Sequence, residues 1–355
     1  MAPVSSNTKS RVVKKAPVVI GKAASTVVGK AKVVADRKAK VEAVRPPAFK
    51  IETSHKKSRY FKGLFYGDHG VGKTRLVATA SGVPEMRDIF MIDAEAGDMT
   101  LEDMDEKNEF KFGDIDVARI TSYKQVAAVA EFLKSHCRLR EEIEYGPYGG
   151  KDLETGKSAI DKLTALEARF KGIEPSDIDE PRRYRTIILD SLGEVESLLI
   201  YQLLGVTVNT SLDEEIQAEE WAEYKKNNNM IKRLVRELRN LPMHLLITCP
   251  EKYAQDENKK MQWSPALIGQ LSRQVRGFMD VVGYLVTGVA ESEEAALPRR
   301  LYVQPVKGKK FVAKCRFSSY SGAYFDDPTM GAIMETVGLS LPVTKPKPQP
   351  KKGSK

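Results

Sequence analysis

The sequence predicts an α/β fold, a mostly parallel sheet with helices on both faces and a C-terminal β-hairpin. Three observations predict it. Short apolar segments alternate with stretches of helix length from residue 61 to residue 286, the pattern of strands joined by helical crossovers. Tyr184-Arg-Thr-Ile-Ile-Leu-Asp190 places apolar and β-branched residues side by side before a terminal acid, as a strand covered on both faces requires. Gly67-Asp-His-Gly-Val-Gly-Lys73-Thr74 fits the pattern G-x-x-x-x-G-K-[ST] between a strand and a helix.

The elements follow in order. Residues 1–48 mix Lys, Ala and Val with scattered Ser and Pro, and the first aromatic residue is Phe49. Such a segment cannot bury enough surface to offset its ordering entropy, so it is expected to be a disordered basic arm. One domain is expected over 49–340. Its strands are Phe61–Tyr66, Asp88–Asp93, Asp116–Ile120, Tyr184–Asp190, Met243–Thr248 and Val281–Val286. Its helices are Gly72–Ser81, Tyr123–Leu139, Gly193–Leu204 and Glu214–Asn240. Residues 140–182 are charged, with glycine turns at Gly146–Gly150 and Gly156, and read as a partly helical insertion. Arg300–Pro305, Lys307-Gly-Lys309 and Phe311–Phe317 read as a β-hairpin at the sheet edge. Residues 341–355 form an extended, disordered Lys/Pro tail.

Of the net charge of +9, residues 1–50 carry +10 and residues 341–355 carry +5, which leaves −6 for residues 51–340. A mildly acidic domain with basic ends suits arms that bind polyanions through counterion release. The 3 cysteines, Cys137, Cys249 and Cys315, form no CxxC pair, so neither a disulfide framework nor a zinc site is indicated and a reducing cytoplasm is expected. No apolar run reaches the roughly 18 residues that a transmembrane helix needs, and no membrane partner is expected.

The glycine pattern carries chemistry. Gly67, Gly70 and Gly72 let the backbone curl so that its N–H groups face phosphates, and the helix that follows adds its positive end. Asp68, His69, Val71 and Arg75 complete the segment around the nucleotide. His69 sits at a variable position as a bystander. Lys73 can reach the β- and γ-phosphates and the Thr74 hydroxyl can ligate Mg²⁺, so the expected ligand is ATP with Mg²⁺. The second magnesium-holding acid is expected at a strand end: Asp190 is the candidate and Asp93 its competitor. The strand at 116–120 separates the two in sequence, as in P-loop ATPases that insert a strand between the phosphate-binding and magnesium strands. In that class a further glutamate polarises the attacking water. Glu95 fits that place, and Thr248 fits the place of a polar residue that senses the γ-phosphate.

Together with Met91-Ile-Asp-Ala-Glu95, Ile187-Ile-Leu-Asp-Ser191, Trp221, Leu246-Ile-Thr248 and Ala313-Lys-Cys-Arg316, this set resembles a RecA-like P-loop ATPase core. It is similar in particular to the minimal RecA-like proteins of bacteriophages, the nucleotide-binding and single-strand-annealing recombinases, over residues 59–320. The resemblance implies single-stranded DNA binding, annealing or strand exchange, and rings or filaments with ATP between subunits, in the host cytoplasm if the protein is phage-encoded. It also implies that Lys314 and Arg316 reach a neighbouring subunit's γ-phosphate. Cys249-Pro250 departs from the histidine common after the sensor strand.

The two loops expected to line a DNA channel are Gly205–Glu215, which is acidic, and Glu251–Arg276. The second interleaves Lys252, Lys259, Lys260, Arg273 and Arg276 with Tyr253 and Trp263, a composition suited to pairing phosphates and stacking bases. A nucleotide-locked oligomeric scaffold, a small-molecule kinase and a ring helicase are the competing functions. The kinase lacks an arginine cluster for a second acceptor, and the helicase lacks a second motor domain.

Overall fold

Runs of consecutive apolar residues become the buried strands, and their polar C-terminal residues gather along one edge of the sheet. The structure, a computed structural model, describes residues 60–97, 99–101, 112–145, 153–206, 209–211, 213–216, 221–255, 259–288 and 298–339. The expected arm (1–48), the tail (341–355) and the Gly146–Gly150 turn lie outside the described residues.

Strand β1 (Lys62–Gly67) leads through the glycine loop into helix α1 (Lys73–Ala78), which continues as a 3-10 turn to Gly82. Strands β2 (Ile89–Asp93) and β3 (Ile115–Arg119) precede helices α2 (Tyr123–Tyr145) and α3 (Leu153–Lys171). Then come β4 (Thr186–Asp190), α4 (Leu192–Leu203) and α5 (Trp221–Asn240). Strands β5 (His244–Gln255) and β6 (Met261–Pro265) are followed by α6 (Leu271–Phe278) and β7 (Val281–Thr287). Strands β8 (Arg299–Tyr302), β9 (Lys314–Cys315) and β10 (Tyr324–Asp326) and helix α7 (Met330–Thr336) complete the order.

In space the strands run β10-β8-β7-β1-β5-β4-β2-β3. From β3 to β7 every pairing is parallel, and β8 and β10 add antiparallel strands at one side. The side-chain period of 2 sends successive residues to opposite faces. Ile187 and Leu189 join Leu133 of α2, Val195 of α4, Val235 of α5 and Val275 of α6 in one core. Ile188 joins Val77 of α1 and Ile333 of α7 in the other. Helices therefore cover both faces. On the α1 side, Met330 donates its N–H to Thr79 Oγ1 at 2.7 Å, fastening α7 to the end of the α1 segment.

Four expectations are corrected. The strand at 116–120 (β3) is the outer edge of the sheet, and β5 is the strand that lies between β1 and β4. Asp93 and Asp190 are therefore register neighbours, because a parallel crossover need not place consecutive strands side by side. The C-terminal hairpin does not form. Lys314 and Cys315 pair with Val282 and Val281, while β8 pairs with residues Tyr284–Thr287, so both use β7 and neither uses the other. Residues 251–276 are not a loop but a hairpin and a helix, since β5 runs on past Thr248 to pair with β6. The helix predicted from Glu214 does not include residues 214–216, and its described part is Trp221–Asn240.

The 140–182 segment is also more integral than an insertion. Gly156 lies within α3 rather than in a turn, and Arg140 is fully buried. Its guanidinium donates to the carbonyls of Tyr184 and Pro242, which tie the strand entries of β4 and β5 to α2. Arg140→Ala strands both carbonyls without donors. It is expected to lower unfolding free energy by about 3 kcal/mol in urea titration, and a loss below about 1 kcal/mol would sink this account.

Candidate functional site

The C-terminal ends of β1, β2 and β4, together with Thr248 in the middle of β5, meet at the glycine loop. Gly67 must lack a side chain, since a Cβ there would come within 2.3 Å of the Leu285 carbonyl oxygen on β7. Gly70 and Gly72 have φ of 72° and 93°, a region that L side chains rarely adopt. Gly72 caps α1 with no side chain between the helix N–H groups and the loop interior. The buried Lys73 folds back over the loop, its ammonium donating to the carbonyls of Gly67 at 3.2 Å and Asp68 at 2.8 Å. Phosphate oxygens are stronger, charged acceptors for the same ammonium. Val71 is buried and anchors the loop, Asp68, His69 and Gly70 are exposed at its rim, and Arg75 lies on α1. His69 donates its backbone N–H to Asp68 Oδ1 at 2.8 Å, and its ring has no assigned task.

Asp190 and Asp93 are separated by their partners. The Thr74 hydroxyl donates to Asp190 Oδ2 at 2.6 Å and the Thr248 hydroxyl donates to Asp190 Oδ1. Asp93 Oδ1 instead accepts the backbone N–H groups of Glu95 and Gly97, both at 3.1 Å, and shapes the turn after β2. Burial pushes the Asp190 carboxyl above its ordinary value, opposed by the Thr248 and Thr74 hydroxyls and reinforced by the charges of Glu95 and Asp93. A divalent cation offsets this concentration of negative charge. The residues fit Mg²⁺: a Cβ at Gly97 would fall 2.9 Å from Asp190 Oδ2 and 3.4 Å from Thr74 Oγ1, so the space beside the two oxygens is kept open by a glycine. Thr74 and Asp190 are the residues that would hold the ion.

Glu95 is exposed at the mouth of the site, and Ser191 at the start of α4 donates its hydroxyl to Glu95 Oε1. The same Ser191 oxygen accepts Glu194 N–H at 3.4 Å, so one side chain starts the helix and orients the glutamate. Burial raises the Cys249 thiol to about 12, which makes it a packing residue beside Thr248.

The basic and aromatic residues of 251–276 separate onto two faces. Lys252, Arg273 and Arg276 line an open pocket of about 350 Å³ together with Gln262, Ser264 and Ser272, and none of the described residues that line it is acidic. Tyr253 and Trp263 are register partners on β5 and β6, their rings 4.9 Å apart, and neither lines that pocket. Strand alternation is the reason, because neighbours in sequence point to opposite sides of a hairpin. Lys259 and Lys260 are exposed at its tip. Buried Glu196 of α4 accepts the Ile268 N–H and the Asn227 amide, fixing the approach to α6.

Lys314 and Arg316 lie far along the chain from the loop and are held by their own subunit. Lys314 donates to the carbonyls of Arg276 and Met279 at 2.9 and 2.8 Å. Arg316 donates to the Gly277 carbonyl at 2.6 Å and lies 3.6 Å from Asp280. Sequence reasoning missed Gly97, the role of Ser191, and Arg299, which lies against Gly72. Their places follow from tertiary approach, and only Ser191, next to a strand-end acid, carried a local signal.

The sequence model of the AAA domain family matches residues 59–317, most of the chain's 355 residues, and the chain belongs to that family. It is a nucleotide-binding P-loop ATPase. A comparison with curated proteins finds no match. Among the described residues no helix is long and apolar enough to cross a membrane.

Proposed function

We propose that this ATPase acts on single-stranded DNA in bacteriophage recombination, annealing or replication, and assembles into rings or filaments. The observation that carries this reading is the pocket of Lys252, Arg273 and Arg276, whose described lining residues include no acid, built on the strand that runs on from Thr248. Phosphates of a nucleic acid pair with such cations. Ser272 also lines the pocket, its buried hydroxyl without a hydrogen-bond partner among the described residues. Tyr253, 43% exposed, offers a ring edge for a base on the hairpin's other face. Lys314 and Arg316 retain their proposed action on a neighbouring subunit's nucleotide. That role requires them to exchange their present carbonyl partners for phosphate oxygens.

In the hydrolytic step Glu95 orients a water toward the γ-phosphorus and accepts its proton. The phosphorus–oxygen bond to the β-phosphate breaks and ADP leaves. Lys73 and the helix N-terminus bind the phosphate oxygens, and Ser191 keeps Glu95 at the mouth. Bound Mg²⁺, held by Thr74 and Asp190, supplies neutralisation of phosphate charge. Thr248 touches Asp190 and lies four residues before Lys252 on one strand, a short covalent route between phosphate and pocket.

Steady-state hydrolysis measured alone, with single-stranded DNA and with duplex DNA tests the reading. Stimulation by about tenfold with single strands, and less with duplex, is expected. Turnover indifferent to every DNA, with ATP still shifting oligomer size, would replace it with a nucleotide-locked scaffold.

A further inference from the structure

We infer that Arg299 binds the nucleotide's phosphate chain in cis, as a second cation beside Lys73. Its place comes from strand geometry. Leu301 of β8 is fully buried, with its Cδ1 2.6 Å from a Cβ built at Gly283, in the core that also holds Val77 of α1. Arg299, two residues earlier, points to that same α1 face. Arg300 points the other way, pairing with Asp326 at 2.6 Å and lying 4.0 Å over the Tyr324 ring.

On the α1 face Arg299 extends over the end of the glycine loop. A Cβ at Gly72 would stand 2.9 Å from Arg299 Nε, 3.4 Å from Cζ and 3.5 Å from Cδ. The base of the guanidinium therefore rests on the residue that caps α1, where the helix N–H groups turn toward phosphate. Gly72 is thus fixed twice, by its φ of 93° and by the arginine above it. The backbone of Arg299 is anchored in turn. Its N–H donates to Asp327 Oδ1 at 3.3 Å, its carbonyl accepts the Asp327 N–H at 2.8 Å, and it pairs with Thr287 of β7.

A guanidinium is a weakly hydrated, permanently charged fork that matches phosphate geometry. Placed at the cradle's rim by the same chain, it needs no neighbouring subunit, unlike Lys314 and Arg316. The contact is to the phosphate chain, which the loop binds, rather than to the base.

Equilibrium binding of ATP, ADP and AMP to the full-length chain and to Arg299→Ala and Arg299→Lys tests this, with AMP read by competition and thermal unfolding recorded in parallel. Charge-assisted hydrogen bonds of this kind predict that Arg299→Ala weakens ATP and ADP by about tenfold or more. AMP is expected to change by less than about twofold, and Arg299→Lys to recover part of the loss. Unchanged ATP and ADP affinity would overturn the assignment. So would an equal loss for all three nucleotides, which would point to the base or to a structural role, the latter with a matching fall in Tm. Lys73→Ala in the same assay shows that binding at the glycine loop is being read, without involving DNA.

Discussion

Lys73→Ala is expected to reduce steady-state ATP hydrolysis by roughly 10³-fold, the scale of removing one preorganised charge from a phosphoryl-transfer site. The ammonium is buried and already points into the loop, 2.8 Å from the Asp68 carbonyl. Its move to the phosphates exchanges neutral acceptors for charged ones while charge develops on the transferred group. The loop's shape does not depend on it, because Gly70 and Gly72 set the backbone and Val71 anchors it in the core. Circular dichroism and Tm should therefore stay close to those of the parent, which separates lost chemistry from lost folding. Residual turnover above about a tenth would mean that the lysine is not the principal phosphate contact.

The second large effect concerns the pocket. Lys252→Gln, Arg273→Gln and Arg276→Gln combined are expected to weaken single-stranded DNA by at least about 100-fold near 0.1 M salt. The same variant should reduce the slope of log affinity against log salt by about 2, from about 0.7 per neutralised phosphate on a single strand. The slope is the sharper readout, because basic residues 1–50 contribute equally to both proteins. Lys252 also donates to the Leu267 carbonyl, so Tm is recorded alongside. An unchanged slope would place DNA contact on the basic ends instead.

The glycine loop was legible because its requirements are local: consecutive residues supply the curl, the amine and the hydroxyl. Asp190 was legible as the acid closing an apolar strand. Its choice over Asp93 was not settled by the strand at 116–120, which proved to be the sheet's edge. It follows from the hydroxyls of Thr74, in the first turn of α1, and Thr248, within β5.

The β5–β6 hairpin was hidden by Pro250, which reads as a strand terminator. In the fold Pro250 stands opposite Gly67 at the last pair with β1, and its carbonyl accepts the Ala266 N–H, so its missing donor costs no ladder bond. The turn at Lys307-Gly-Lys309 is present, with Gly308 at φ 82° and the Lys309 N–H bonded to the Val306 carbonyl at 3.1 Å. What sequence could not show is that the segments on either side would both choose β7. Aromatic contacts favour that outcome, with Phe311 between Tyr284 and Tyr302 at 5.2 and 4.8 Å.

The placement of β1 has a consequence for the order in which the chain can fold. Its partners are residues Leu245–Pro250 on one side and residues Val281–Tyr284 on the other. The nucleotide loop is thus synthesised early but remains without either flanking strand until some 180 and then 220 further residues have been made. Contacts of such long sequence separation make assembly slow and leave apolar strands waiting during translation. The growing chain therefore cannot gain stability from ATP until its last parallel strand is in place, and nucleotide acts as a late lock on a finished sheet rather than as a seed for it.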